Sequence, residues 1–191
     1  GSSGSIIAGI VITNWDRGIL IIDSSGCKIY GNIMSDINLN GITVQGTNAA
    51  NNLIYSNIFQ EKCGTAINLT ASSTSNIIYK NIISLNDIGL NLGSNGNTIY
   101  ANIIAENKVG INLTASNGNI IYHNNFLDNG VQVVISTSIG NTWDNGYPSG
   151  GNYWSTRTKE DKYSGPNQNE TGSDSIADTN YTIATNNVDH Y

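Results

Sequence analysis

Apolar and polar residues alternate in short runs along the whole chain. In Gly41-Ile42-Thr43-Val44 and Gly110-Ile111-Asn112-Leu113, for example, every second residue is apolar. Alternation over so few residues is typical of a short β-strand with one buried face, and the Gly and Asn residues between the runs favour tight turns. No segment shows the sustained 3.6-residue period of an amphipathic helix. The pattern therefore predicts many short strands joined by turns.

The strands belong to a repeat. The unit Ile29-Tyr30-x-Asn32 recurs at Ile54, Ile78, Ile99 and Ile121, with steps of 25, 24, 21 and 22 residues. Such self-similarity is the signature of a stacked solenoid, in which each turn buries its apolar residues against its neighbours. A β-sandwich would instead show hairpin turns between antiparallel strands. The sequence predicts an all-β fold, a single-stranded right-handed parallel β-helix of about seven rungs of roughly 22 residues.

Asparagine explains much of the composition. The chain has 31 Asn and 21 Gly among 191 residues, and many of the Asn fall in register from one repeat to the next. Side-chain amides stacked in this way form hydrogen-bonded ladders. Two ladders are predicted: Asn52, Asn76, Asn97, Asn119 and Asn141; and Asn32, Asn57, Asn81, Asn102 and Asn124. The repeats are predicted to occupy residues 1–143, and an irregular closing segment, residues 144–191, to pack on the β-helix.

The distribution of charged and apolar residues argues against a nucleic-acid-binding protein and against a membrane span. The net charge is −6, and no window concentrates Lys or Arg, so the basic patch of a nucleic-acid-binding protein is missing. No run approaches the roughly 18 to 20 apolar residues that span a bilayer, so no membrane span is predicted in this chain.

The repeat units and the closing segment together resemble a known family. Asn-x-Ile-Tyr-x-Asn and Gly-Ile-x-Leu are similar to the repeats of NosD-like parallel β-helix proteins, which are common on archaeal cell surfaces and related in fold to pectate lyases. Gly151-Asn152-Tyr153-Trp154-Ser155 resembles the start of their closing segment. The chain departs from that pattern at Thr156-Arg157, where an acidic-aromatic pair is usual. The resemblance implies an extracellular location at the cell surface.

Some members of that family serve copper sites, and copper needs clustered Cys, Met or His. The chain has 2 Cys, 1 Met and 2 His, scattered along its length. We therefore predict no copper cofactor. Cys27 and Cys63 fall at different corners of the repeat, so we predict two thiols and not a disulfide.

Other proteins with this fold cleave polysaccharides, using ionisable side chains on neighbouring turns. The outward positions of the Gly-Ile-x-Leu strand are neutral here, namely Leu20, Thr43, Asn68, Asn91, Asn112 and Gln132. The remaining catalytic candidates are Asp87, Lys108 and Asp128, which lie two residues before their glycines. Two carboxyls about 10 Å apart lie at the upper limit for an inverting hydrolase. A solvated ion pair is the alternative interpretation of these residues.

Acidic residues also gather in the closing segment. Asp161, Asp174 and Asp178 lie in a Gly- and Ser-rich stretch, and Ca²⁺ prefers such oxygen ligands. The spacing matches no regular calcium-binding loop. A structural Ca²⁺ and an ordinary solvated loop are both open at this point.

An aromatic column is the most distinctive candidate site. If the isoleucines of the repeat point inward, the residues after them point outward and stack at strand spacing. These residues are Tyr30, Tyr55, Tyr79, Tyr100, Tyr122 and Trp143. Such an apolar stripe is either covered by the closing segment or a neighbouring domain, or binds a partner such as a polysaccharide or a protein.

Together these observations favour a non-enzymatic β-helix module of an archaeal cell-surface protein, a structural spacer that presents a carbohydrate- or protein-binding face. The alternative is a carbohydrate-active enzyme, a polysaccharide lyase or a glycoside hydrolase that acts on surface polysaccharide.

Overall fold

The computed structural model describes residues 2–70, 72–157 and 160–191, and within these ranges the regular structure is β-strand. The strands of the repeats are β1 (Ile6–Ala8), β2 (Val11–Ile22), β3 (Lys28–Tyr30), β4 (Ile33–Gln45), β5 (Leu53–Tyr55), β6 (Ile58–Gln60), β7 (Thr65–Leu69), β8 (Ile77–Tyr79), β9 (Ile82–Ser84), β10 (Ile88–Leu92), β11 (Thr98–Tyr100), β12 (Ile103–Ala105), β13 (Val109–Thr114), β14 (Ile120–Tyr122), β15 (Asn125–Leu127) and β16 (Val131–Ser136). The closing segment adds β17 (Tyr153–Trp154), β18 (Tyr163–Ser164), β19 (Glu170–Thr171), β20 (Tyr181–Ala184) and β21 (Asn187–Asp189). No helix long and apolar enough to cross a membrane occurs in these ranges.

Each turn of the chain contributes one strand to each of three faces. The first face is a six-stranded parallel sheet in the order β1-β3-β5-β8-β11-β14. The second face contains β6, β9, β12, β15 and β17, and the third contains β7, β10, β13 and β16. The long strands β2 and β4 run through both of these faces, since β4 pairs with β6 in its first half and with β7 in its second. The predicted all-β parallel β-helix is confirmed, but it has about six turns where about seven were predicted.

The core is a set of vertical columns of apolar side chains. Ile54, Ile78, Ile99 and Ile121 form one fully buried column, and Ile67, Leu90 and Ile111 form another. Both columns were predicted from the alternation. The second face contributes a third column with larger side chains, namely Met34, Phe59, Ile83, Ile104, Phe126 and Trp154.

Buried asparagines line the corners between the faces. Both predicted ladders are present, and at each step the side-chain amide donates to the Oδ1 of the Asn one turn further on, as in Asn102 Nδ2 to Asn124 Oδ1 at 2.9 Å. A third ladder, missed in the sequence, runs through Asn86, Asn107 and Asn129. The residue before each ladder Asn takes a left-handed conformation, such as Ala101 with φ 55°. This turns the chain, and the amide pairs backbone groups that the corner would otherwise leave buried without partners.

The predicted register is wrong in two places near the C-terminal end. β16 pairs Asn112 with Val134, so Val134 and not Gln132 takes the outward position. Gln132 is buried and accepts a hydrogen bond from Asn129 Nδ2 at 2.8 Å. Gly130 therefore lies two residues earlier in its turn than Gly110 does in the turn before. The side chain of Gln132 points inward and pairs with Asn129 of the Asn ladder.

Trp143 is the second correction. It was predicted to continue the outward tyrosine column, but it is fully buried. Thr142 bridges to Ile120, which places Trp143 one residue later in the inward column of Ile121. Its indole Nε1 donates to Asn187 Oδ1 at 3.1 Å, so the closing segment provides the partner that a buried indole needs.

The closing segment covers the C-terminal end of the β-helix. β17 extends the second face by pairing with β15, so sheet pairing continues past residue 143. The ring of Trp154 stacks between Phe126 at 4.2 Å and Tyr181 at 4.5 Å. β20 and β21 form an antiparallel pair, and the buried carboxylate of Asp189 on β21 accepts hydrogen bonds from Asn152 N and Trp154 Nε1, each at 2.8 Å.

Candidate functional site

The outer side of the first face carries a column of five stacked tyrosines, which we call the tyrosine ladder. Parallel pairing brings each tyrosine opposite the next, so the column follows directly from the strand register. Ring centroids are 4.9 to 5.4 Å apart and the rings are within 14° of parallel. Its members are Tyr30, Tyr55, Tyr79, Tyr100 and Tyr122.

The stacking decides which part of each ring a partner can reach. Because neighbouring rings cover one another's faces, the ladder presents ring edges and hydroxyl groups, and every ring is partly exposed. Burial raises the pKa of the Tyr79 and Tyr122 hydroxyls, and the neighbouring Tyr100 raises both further. These two hydroxyls are therefore protonated at neutral pH and can donate hydrogen bonds.

Apolar side chains flank the tyrosine ladder. Leu53 and Ile77 are half-buried beside it, and Ile120 is 41% exposed. The closing segment leaves every ring of the ladder partly exposed, and cover by a neighbouring domain stays a prediction. The ladder ends at His123, whose ring packs edge-on against Tyr122 at 4.9 Å.

The predicted catalytic residues do not form one column. Asp87 and Lys108 lie on adjacent turns and form an ion pair at 2.5 Å, with both side chains more than half exposed. Asn129 continues the ladder of Asn107, so Asp128 aligns with Glu106 and lies two residues before the corner position of Asp87 and Lys108. The three-residue column is therefore wrong, because the corner register was assigned from the displaced Gly130. What remains is an exposed ion pair.

A second pair was not foreseen from sequence. Ser149 Oγ lies 3.2 Å from His123 Nε2, the distance expected of a nucleophile and its base. However, the same nitrogen is 2.6 Å from the carbonyl oxygen of Ser149, so it must carry the proton and donate it to that carbonyl. Ser149 Oγ in turn accepts from Asn145 Nδ2 at 2.9 Å. These hydrogen bonds hold the loop that contains Asn145 and Ser149 in place. They leave His123 without a free lone pair on Nε2 that could activate Ser149.

The acidic residues of the closing segment bind backbone amides. Asp161 accepts from the amides of Asp174 and Ser175, at 3.1 and 2.9 Å. Asp178 accepts from those of Lys162 and Tyr163, at 2.8 and 3.1 Å. In the described residues, no group of three or more His, Cys, Asp or Glu could hold a metal ion. The structural Ca²⁺ at Asp161, Asp174 and Asp178 stays a prediction, and this geometry explains the loop without it.

The soft donors that copper prefers do not converge either. Cys27 and Cys63 are free, buried thiols, as predicted, and burial raises the pKa of Cys63 to about 11. A thiol with so high a pKa resists the deprotonation that metal binding requires. Met34 is fully buried in the core, and His190 Nδ1 lies 2.9 Å from Asp144 Oδ2. The described residues thus fit no copper site.

Sequence reasoning missed a cavity at the C-terminal end of the tyrosine ladder, which we call the end cavity. It has a volume of about 350 Å³ and lies between the last turn and the closing segment. Polar residues on its lining include His123, Asn125, Tyr153, Arg157 and Asp161. The signal in the sequence was Arg157 itself, which departs from the pattern of the resembled family.

Comparison with known proteins identifies the family of the chain. No curated protein is significantly similar to it. The model of one family, described as periplasmic copper-binding protein (NosD), matches residues 1–158, which include all the repeats and the start of the closing segment. The parallel β-helix, the asparagine ladders and this match agree, and the chain belongs to the NosD family.

Proposed function

We propose that this chain is a non-enzymatic module of an extracellular cell-surface protein, a rigid spacer whose tyrosine ladder binds an extended glycan. The family is described as periplasmic, which supports a location in the cell envelope or outside the cell. The stacked turns support the role of a spacer, because each turn is joined to the next by sheet pairing and ladder hydrogen bonds.

The tyrosine ladder is the observation that carries the binding role. A glycan lying parallel to the β-helix axis would meet a phenol hydroxyl at every turn, carried by rings whose centroids are 4.9 to 5.4 Å apart. Sugar hydroxyls would accept or donate hydrogen bonds there, while the apolar faces of the sugars contact the flanking Leu53, Ile77 and Ile120. Since the ring faces cover one another, the mode is edge and hydroxyl contact and not sugar stacking. Each contact is weak, and the repeated array adds them.

Binding to immobilised glycans tests the proposal. Retention by immobilised polysaccharides of differing charge would be compared between the wild type and the double variant Tyr79→Phe/Tyr100→Phe, which keeps the stack and removes two hydroxyls. Because each lost hydrogen bond weakens binding modestly, we expect a loss of about tenfold. Tyr163→Phe, at a 45% exposed tyrosine of the closing segment, is the matched control. Equal retention of all three proteins would refute a glycan-binding ladder.

The alternative function is cleavage of surface polysaccharide, for which the exposed Asp87–Lys108 pair is the candidate. The outward residues of the third face are neutral through Leu20, Asn68, Asn91 and Val134. Incubation with acidic polysaccharide, followed by analysis for reducing ends and unsaturated products, distinguishes the two functions. Turnover that disappears in Asp87→Asn would establish an enzyme. We expect no products.

A further inference from the structure

The tyrosine ladder places oxidisable phenols next to one another on consecutive turns of the β-helix. Neighbouring ring centroids lie 4.9 to 5.4 Å apart, and the ring planes are within 14° of parallel. Because the Cα atoms are also paired in register, the hydroxyl-bearing edge of each ring lies beside the same edge of its neighbours. The strand register therefore holds the same reactive atoms of neighbouring phenols side by side.

The rings of the ladder are accessible to reagents in solution. Every ring is partly exposed, so a soluble oxidant can reach the phenols and water can accept their protons. Tyr163 of the closing segment offers a contrast within the described residues. It is 45% exposed, but it lies on the β18–β19 hairpin and makes no ring contact. Exposure and a neighbouring phenol are thus combined in the ladder and not at Tyr163.

We propose that the tyrosine ladder is a site of oxidative cross-linking, at which a peroxide-derived one-electron oxidant joins tyrosines of adjacent turns as dityrosine. The oxidant removes one electron from each of two neighbouring phenols, and each phenol releases its hydroxyl proton to water. The unpaired electron of each phenoxyl radical is shared with the ring carbons ortho to the oxygen. Two such carbons form one C–C bond, and the hydrogens that they carried move to the phenol oxygens. One hydrogen peroxide takes up the two electrons and two protons and becomes two waters.

The ladder favours this reaction over coupling between separate molecules. A phenol held one turn away has an effective concentration far above that of a phenol on another dissolved protein. A radical can also pass to the next ring by exchange of an electron and a proton, so two oxidations at separate turns can still meet. The Cβ atoms keep their strand positions, and only the exposed outer ends of the two rings must tilt together.

The cross-link gives the β-helix a covalent connection between its turns. Cys27 and Cys63 are free and buried, so no disulfide of theirs joins one turn to the next. A bond between Tyr79 and Tyr100 closes a loop of the chain, which restricts the unfolded state as a disulfide does. The proposal needs only the ladder and an oxidant, and it does not depend on glycan binding.

Two variants with equal numbers of tyrosines test whether adjacency matters. Tyr55→Phe/Tyr100→Phe keeps the stack of rings but leaves Tyr30, Tyr79 and Tyr122 without a tyrosine on an adjacent turn. Tyr30→Phe/Tyr55→Phe removes as many hydroxyls and leaves the last three tyrosines of the ladder adjacent. Dilute wild type and both variants would be treated with hydrogen peroxide and a haem peroxidase. Fluorescence of the monomer, isolated under denaturing conditions, measures dityrosine, and mass spectrometry of its digest identifies the linked peptides.

The yield within the monomer decides the matter. We expect dityrosine in the wild type and in Tyr30→Phe/Tyr55→Phe, and at least about tenfold less in Tyr55→Phe/Tyr100→Phe. The linked peptides should pair ladder tyrosines of consecutive turns, and Tyr163→Phe should leave the yield unchanged. Circular dichroism checks the fold, and the linked peptides of the wild type carry the test if a variant does not fold. Equal yields in the two double variants, links through Tyr163, or no dityrosine in the wild-type monomer would overturn the proposal.

Discussion

At the scale of single residues, the β-helix separates three environments within each repeat. Ile99 is fully buried, Tyr100 after it is partly exposed, and Ala101 turns the corner with φ 55°. Asn102 then returns to the interior. These four consecutive residues therefore differ in burial and backbone conformation. The alternation in the sequence predicts the burial of Ile99 and the exposure of Tyr100, because only these two belong to a strand.

Truncation of a core isoleucine tests the inward column. Ile99→Ala removes a side chain without exposed surface and leaves a cavity between Ile78 and Ile121, so we expect a loss of about 2 to 5 kcal/mol in the free energy of unfolding. Ile103→Ala, at a 37% exposed isoleucine one strand later, is the control and should cost far less. Equilibrium denaturation measures both, and equal costs would contradict the assignment of the core.

The buried carboxylate of Asp189 predicts a pH dependence. Burial raises its pKa, although hydrogen bonds from Asn152 and Trp154 oppose the shift. A carboxyl whose folded-state pKa is raised contributes its stability below the unfolded value, near 4, and loses it as the pH rises through the folded value. The stability of the wild type relative to Asp189→Asn should therefore increase on acidification. Thermal unfolding of both proteins across this range measures the difference, and parallel pH profiles would contradict it.

At the scale of elements, the corners hold the turns together as much as the strands do. Asn102 accepts from the backbone N and the side-chain Nδ2 of Asn81, each at 3.0 Å. It donates to Ile78 O at 3.0 Å and to Asn124 Oδ1 at 2.9 Å. A single buried amide therefore joins three consecutive turns, which a short strand of three residues cannot do alone.

Replacement of one ladder amide should therefore be costly. Asn102→Ala removes the acceptor of the buried backbone N–H of Asn81 and the side-chain donor to Ile78 O, and each buried group left unpaired costs about 1 to 3 kcal/mol. Asn112→Ala, in the half-exposed Asn ladder outside the third face, is the matched control and should cost less, because water replaces its partner. Urea unfolding of the two variants gives the comparison. A cost for Asn112→Ala that equals that of Asn102→Ala would show that burial does not matter at the corners.

The repeat in the sequence predicted the elements well wherever each turn copied the last. The columns of Ile54 and Ile67 follow from spacing alone, because parallel pairing transfers register from one turn to the next. The prediction was wrong where the closing segment packs against the last turn of the repeats. Gln132 and Trp143 lie at the last turn, where the closing segment supplies partners that no local pattern reveals, namely Ser155 Oγ for Gln132 Nε2 and Asn187 Oδ1 for the indole of Trp143.

The same reasoning separates the two candidate sites. The tyrosine ladder could be predicted, since it is a property of the repeat. The end cavity could not be predicted, because its lining joins Asn125 of the last turn to Arg157 and Asp161 of the closing segment. Contacts between segments of different character have no signature in the spacing of residues.

At the scale of the whole molecule, the closing segment protects an end that stacking leaves open. Phe126 and Trp143 are fully buried beneath it, and β17 pairs with the edge of β15. An uncovered edge with apolar side chains is a site of aggregation.

Removal of residues 151–191 should expose this end. We expect the truncated protein to bind a hydrophobic dye and to aggregate, because Phe126 and the edge of β15 lose their cover. Tyr163→Ala, which alters only an exposed ring of the closing segment, should do neither. Light scattering and dye fluorescence give the comparison, and a monomeric truncation of unchanged stability would show that the segment is passive.

The asparagine ladders have a direction, and this has a consequence for how such a protein changes its length. In the buried corner ladder from Asn32 to Asn152, each side-chain amide donates to the Oδ1 of the following turn, as Asn81 does to Asn102 and Asn124 does to Asn152, whereas the outer ladder of Asn68, Asn91 and Asn112 runs in the opposite direction. After Asn152 the series ends at Asp189, which accepts but, when ionised, has no proton to donate. A duplicated repeat inserted between two internal turns would continue every ladder, whereas one added beyond Asp189 would find no donor. Evolution can therefore lengthen this molecule from within, one whole turn at a time, while its C-terminal end stays the same.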